Sequence, residues 1–156
     1  MNVTLTQKER MLLEDEKSNE QLCVQKYNKY ANQAQDPQLK QLFQSLSSVE
    51  QQHLNTVNQI LSGQVPGTNQ GGQGQQQQPA MQVGQSGGTF NQNDAELCKD
   101  MLSTEKFISS TYNTTIFECV DTNVRQALNH IQKEEQEHGE ALFNYMQSHG
   151  MYNTNA

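Results

Sequence analysis

Two blocks of this 156-residue chain match at one fixed offset of 85 residues, which constrains the fold more than any other feature. The shift superposes Leu12 on Leu97, Asp15 on Asp100, Ser18 on Ser103, Glu20 on Glu105, Tyr27 on Tyr112, Asn28 on Asn113, Asp36 on Asp121 and Gln41 on Gln126. It also superposes Glu50, Gln51 and His53 on Glu135, Gln136 and His138. A chain that repeats an acid, a tyrosine, a turn aspartate and a Glu-x-x-His pair at one spacing folds as two equivalent halves, here 4–61 and 94–149.

Each half reads as two helices. Thr6 followed by Glu9 has the form of a capping box that opens the first helix, whose apolar positions are Leu13, Cys23, Tyr27, Ala31 and Ala34. Asp36 and Pro37 start the second: Asp accepts from free first-turn amides, and Pro has no amide to leave unpaired there. Its seam is Leu39, Leu42, Phe43, Leu46, Val57, Ile60 and Leu61, a helical spacing that Gly63 ends. In the second half, Asn93 or Asp94 is expected to cap a helix with the face Leu97, Met101, Ile108, Tyr112, Ile116 and Cys119. Asp121 caps a fourth with the face Val124, Leu128, Ile131, Leu142 and Met146, ending near Gly150. Two hairpins with short turns each expose an apolar stripe, and packing the stripes together buries both. The expected fold is all-α, a single four-helix bundle.

The two halves are separated by residues 62–93, which hold eight of the ten glycines and two of the three prolines. No Asp, Glu, Lys or Arg occurs from 51 to 93, so the low hydrophobic content of 33% reflects a local Gln/Gly-rich linker more than a weak core. As a flexible coil of about 5–6 Å times the square root of its length, it reaches from one end of a bundle to the other. One long crossover is the connection pattern of ferritin-like bundles.

The seams carry acids as well as oil. Glu50 and His53 continue the second seam, Glu135 and His138 the fourth, and Glu20 and Glu105 lie in the first and third. Glu20 and Glu50 are equidistant from Gln35, as Glu105 and Glu135 are from Val120. At 1.5 Å rise per residue, all four acids therefore sit at one depth, about 20 Å from each turn. Four carboxylates in one apolar layer repel and lose hydration unless some are protonated or cations neutralise them. One Glu from each of two helices plus Glu-x-x-His from each of the others is the ligand set of di-iron and di-manganese bundles. The candidate metal ligands are thus Glu20, Glu50, His53, Glu105, Glu135 and His138, with two divalent ions, iron or manganese, as the cofactor. The alternative is an inherited site without metal. Glu16 is a substitute first-helix ligand, Glu134 reads as a flank residue, and Tyr27 and Tyr112 as core residues or donors to the acids. His130, beside the seam, and His149, at a helix end, need no functional role.

A net charge of -7 disfavours nucleic acid as a partner, since phosphate binders cluster Lys and Arg. The amino terminus MNVTLTQKER has no apolar run after its charges, and no stretch approaches membrane-spanning length, so synthesis in the cytoplasm is expected. Cys23, Cys98 and Cys119 lack CxxC spacing and are odd in number, against a zinc knuckle or a full disulfide framework. Cys23 and Cys119 are expected as buried free thiols.

These residues resemble the ferritin-like superfamily across most of both halves, the first being similar to a rubrerythrin-like half. Within it, residues 100–152 resemble the spore coat protein F family: an ML-x-x-EK opening at Met101, the central Tyr112, the EE-x-x-H core at Glu134 to His138, and a Met-x-x-x-Gly-x-Tyr end from Met146 to Tyr152. Met151 departs from the tryptophan expected there. The resemblance implies a structural component assembled on the bacterial spore coat, with other coat proteins or further copies of itself, such as a homodimer, as partners. The competing implication is a di-metal oxidoreductase acting on peroxide or dioxygen. Without CxxC pairs, a rubrerythrin-type peroxidase needs an outside reductant; a catalase-like dismutation does not, and ferroxidase storage is a third option.

Overall fold

The computed structural model describes residues 2–66 and 91–154. They form four helices, α1 (Gln7–Gln33), α2 (Pro37–Leu61), α3 (Gln92–Glu118) and α4 (Thr122–Ser148). α1 pairs with α2 and α3 with α4 as hairpins, and α1 lies closely against α3, whereas α2 and α4 approach less closely. The described residues form a four-helix bundle of two hairpins. Most of the segment expected as the linker, residues 67–90, lies outside the described residues.

Local chemistry sets the helix starts. Thr6 and Glu9 form the full capping box, each side chain accepting the other's backbone N–H. Asp36 accepts from Gln38, ahead of Pro37 in the first turn, and Asp121 accepts from Asn123 and Val124. α3 starts earlier than expected, because its cap is Asn91, which accepts from the N–H of Asp94. Asn93 and Asp94 therefore lie inside the helix. Asp94 is freed to accept the backbone N–H groups of Gln35 and Asp36, at 2.8 and 2.9 Å, in the turn between α1 and α2. α2 ends where Gly63 takes φ 84°, bringing its backbone against Val3, whose N–H donates to the Gly63 carbonyl.

Every apolar position assigned to the four seams is buried. They form two cores, one on either side of the acidic layer. One joins Leu13, Val57, Ile60, Ile108, Val124 and Leu128; the other joins Tyr27, Leu39, Phe43, Met101, Leu142 and Tyr145. Met151 packs against the second core and Tyr152 meets Phe143 edge-on at 5.0 Å, so the end of the chain docks without a tryptophan. All three cysteines are free and buried, Cys98 included.

Candidate metal centre

The bundle brings all six candidate residues into one layer between the two apolar cores, and none is more than 4% exposed. Their convergence follows from the repeat. Each hairpin contributes a glutamate from its first helix and a Glu-x-x-His from its second, the i, i+3 spacing that puts two side chains on one helix face.

The inner carboxylates span both imidazoles. Glu50 places Oε2 3.2 Å from His53 Nδ1 and Oε1 3.0 Å from His138 Nδ1. Glu135 places Oε1 3.2 Å from His53 Nδ1 and Oε2 3.5 Å from His138 Nδ1, close but off the hydrogen-bonding direction, so both its oxygens lack a bond. The rings stack, with centroids 5.6 Å apart. Glu20 and Glu105 stand outside this square, each 3.6–3.8 Å from one histidine.

Tyrosines from the opposite helix hold the outer acids. Tyr112 donates to Glu20 Oε1 and Tyr27 donates to Glu105 Oε1, a reciprocal pair at the repeat offset. In each acid the second oxygen is buried and unpartnered. Burial and the neighbouring acids hold both tyrosine hydroxyls well above their ordinary range, so they remain donors.

The titration of the layer is split. Burial, reinforced by the charges of Glu135 and Glu50, raises Glu20 well above the ordinary carboxyl value, and burial raises Glu105 likewise against the opposing pull of His138. Burial would raise Glu50 and Glu135 too, but both imidazoles contact them and hold them low. Burial disfavours charge on His53 and His138, yet the carboxylates around them raise both well above 6.5. In the metal-free bundle, two imidazolium ions face the carboxylates of Glu50, Glu135 and, from the rim, Glu134, while burial pushes the outer acids toward their protonated forms. This pairing of opposite charges lets the layer exist inside oil.

Glu16 and Glu134 have different surroundings from those expected, while His149 caps the end of α4 as expected. Glu16 is not free to ligate, because its oxygens accept from Thr115 at 2.8 Å and Thr111 at 2.9 Å. Glu134 is no flank residue: its Oε2 lies 2.8 Å from His53 Nε2, and its Oε1 lies 3.4 Å from the exposed His130. The doubled glutamate at 134–135 carried that signal, since successive helix positions point about 100° apart and reach different neighbours. His149 stacks on Tyr145 at 4.1 Å and lies 3.5 Å from Asp36.

The donor set suits a hard or borderline divalent ion. Glu20, Glu50, His53 and Glu135 offer ligand atoms within 4.8 Å of one another, as do Glu50, Glu105, Glu135 and His138. The two groups share Glu50 and Glu135, so the inner acids would lie between two ions. The unpartnered oxygens of Glu20, Glu105 and Glu135 supply the lone pairs that an ion takes up. Cys23, one turn from Glu20, stays a neutral thiol, because burial first, and then the charge of Glu50, pushes it far above its ordinary value. A groove of about 530 Å³ opens on α3 and α4, with Glu105 and Glu135 among its walls beside Leu102, Ser109, Gly139 and Phe143.

Residues 93–155, which span nearly all of α3 and all of α4, match the family model of the Coat F domain. That span carries Glu105, Glu134, Glu135 and His138. No curated protein and no solved structure matches the chain.

Proposed function

We propose that this chain is a component of the bacterial spore coat whose ferritin-like bundle holds two divalent metal ions, iron or manganese, between Glu20, Glu50, His53, Glu105, Glu135 and His138. The Coat F match supports the coat assignment, and one observation carries the metal site. Buried carboxylate oxygens of three helices converge without hydrogen-bond partners on a layer that also holds two imidazoles. A protein interior tolerates such atoms when a ligand takes them up.

When bound, a pair of such ions supplies Lewis acidity and one-electron chemistry toward peroxide or dioxygen. The chain's own residues prepare the place. Glu50 and Glu135 bridge the two histidines, Tyr27 and Tyr112 fix the outer acids, and the flanking cores exclude water. For a coat protein the outcome is a bundle cross-braced at its centre, a durable unit for assembly with other coat proteins or with further copies.

A second reading, an oxidoreductase for peroxide or dioxygen, rests on the groove that reaches Glu105 and Glu135. The oxygens of Glu105 and Glu135 left without hydrogen-bond partners are themselves buried, so an oxidant would enter from this groove only when the side chains around it move. Elemental analysis with a peroxide turnover assay, repeated on Glu50→Ala and Glu135→Ala, separates the two. Two ions without turnover support the brace; two ions with turnover, both lost in the variants, support the oxidoreductase; absence of metal overturns the site.

A further inference from the structure

The repeat that builds the site is imperfect around it, and two of its departures bear on the metal positions. Glu134 orients His53 by its 2.8 Å contact with Nε2, and the residue 85 positions earlier, which should do the same for His138, is Val49. Valine offers no acceptor. The second break is Gly139: its counterpart is Leu54, and where glycine replaces leucine the groove opens beside Glu105 and Glu135. A Cβ at Gly139 would meet Leu102 Cδ1 at an ordinary 3.8 Å, so backbone crowding does not demand the glycine.

Both breaks fall the same way. The His53 half has the imidazole braced by a carboxylate, and the His138 half has an unbraced imidazole and an acid, Glu105, that walls the groove. A carboxylate on the far nitrogen fixes a ligating imidazole's tautomer and raises its basicity. We infer that the two metal positions are unequal: the one formed by Glu20, Glu50, His53 and Glu135 holds its ion tightly, with Glu134 as its positioning residue, while the one formed by Glu50, Glu105, Glu135 and His138 faces the groove and exchanges its ion. This rests on the di-metal reading above. It assigns the exchange and approach of small molecules to the second position.

The test is titration of the metal-free full chain with Mn²⁺, following the electron paramagnetic resonance of the free aquo ion and of the coupled pair. The unaltered chain is expected to bind in two steps at least about tenfold apart, with a signal of isolated bound ions after the first equivalent. Glu134→Ala should weaken the tighter step by about 10–100-fold and merge the two. Glu134→Gln, which keeps an acceptor oxygen, should retain part of the difference, and this separates positioning from simple loss of packing. Val49→Glu should tighten the weaker step. Two indistinguishable steps in the unaltered chain, or a tighter step unmoved by Glu134→Ala, would overturn this inference and leave the di-metal site standing. No bound Mn²⁺ would overturn both.

Discussion

The carboxylate of Glu9 accepts the backbone N–H of Val120 at 2.8 Å, joining the start of α1 to the turn between α3 and α4. Asp94, its equivalent 85 residues later, performs the reciprocal task for the turn between α1 and α2. The hairpins are therefore clasped at both ends of the bundle. Hydrogen bonds to a charged acceptor contribute about 1.5–3 kcal/mol each. Asp94→Ala should lower unfolding stability by at least that of one bond, read as a reduced denaturant midpoint at unchanged m-value. An unchanged midpoint would show that water replaces the clasp.

The inner and outer glutamates should respond oppositely to amide substitution in the metal-free protein. Glu20→Gln and Glu105→Gln replace acids that already carry protons, and an amide oxygen still accepts from Tyr112 or Tyr27, so the melting temperature should hold or rise. Glu50→Gln removes the shared partner of two buried imidazolium ions and should cost about 3–5 kcal/mol near neutral pH. Thermal melts with a chelator present read both. A rise for Glu50→Gln would refute the charge assignment.

The same assignment fixes the pH dependence. His53 and His138 are raised above 6.5, so their contribution is complete below 6.5 and is lost as pH climbs through their folded values. Glu20 and Glu105, raised above 4.5, act in the same direction. Glu50 and Glu134 are lowered by the imidazoles despite burial, so their contribution is present above 4.5 and fades on acidification through their folded values. Metal-free protein should thus be most stable on the acid side of neutrality and weaken toward alkaline pH. Metal binding displaces the protons of His53, His138, Glu20 and Glu105, so affinity should rise with pH. Melting curves across pH, with and without Mn²⁺, check both slopes.

Gly139 is a helical glycine with room for a methyl group. Gly139→Ala should stabilise the chain by about 0.5–1 kcal/mol, the usual helix preference of alanine over glycine, while leaving metal content intact. Gly139→Leu, restoring the residue at the equivalent position of α2, should in addition slow removal of metal by a chelator. Loss of metal from the alanine variant would mean that the groove shapes the ligands themselves.

The sequence made legible what acts locally or repeats. Thr6, Asp36 and Asp121 bond amides within three residues, and the seams follow the helical period, so caps and cores were readable before the fold. The layer of six polar residues followed from equal distances to each turn. What escaped was long-range. Asp94 binds residues 58 and 59 positions away, and nothing near it marks that task; it read as a cap. The 85-residue offset held the correction, because it sets Asn91 on Thr6 and Asp94 on Glu9. Glu134 escaped because the repeat has valine at its counterpart, and Tyr145 because its counterpart is Ile60, although its hydroxyl donates to Asp36 at 2.6 Å. Symmetry was a good guide to structure and a poor guide to what distinguishes the halves.

The most direct measurement is the divalent metal content of the purified full chain after reconstitution with Fe²⁺ or Mn²⁺ and removal of loose ions. Two ions per chain are expected, both lost in Glu50→Ala and Glu135→Ala. A chain that melts cooperatively yet retains no ion would contradict the di-metal site.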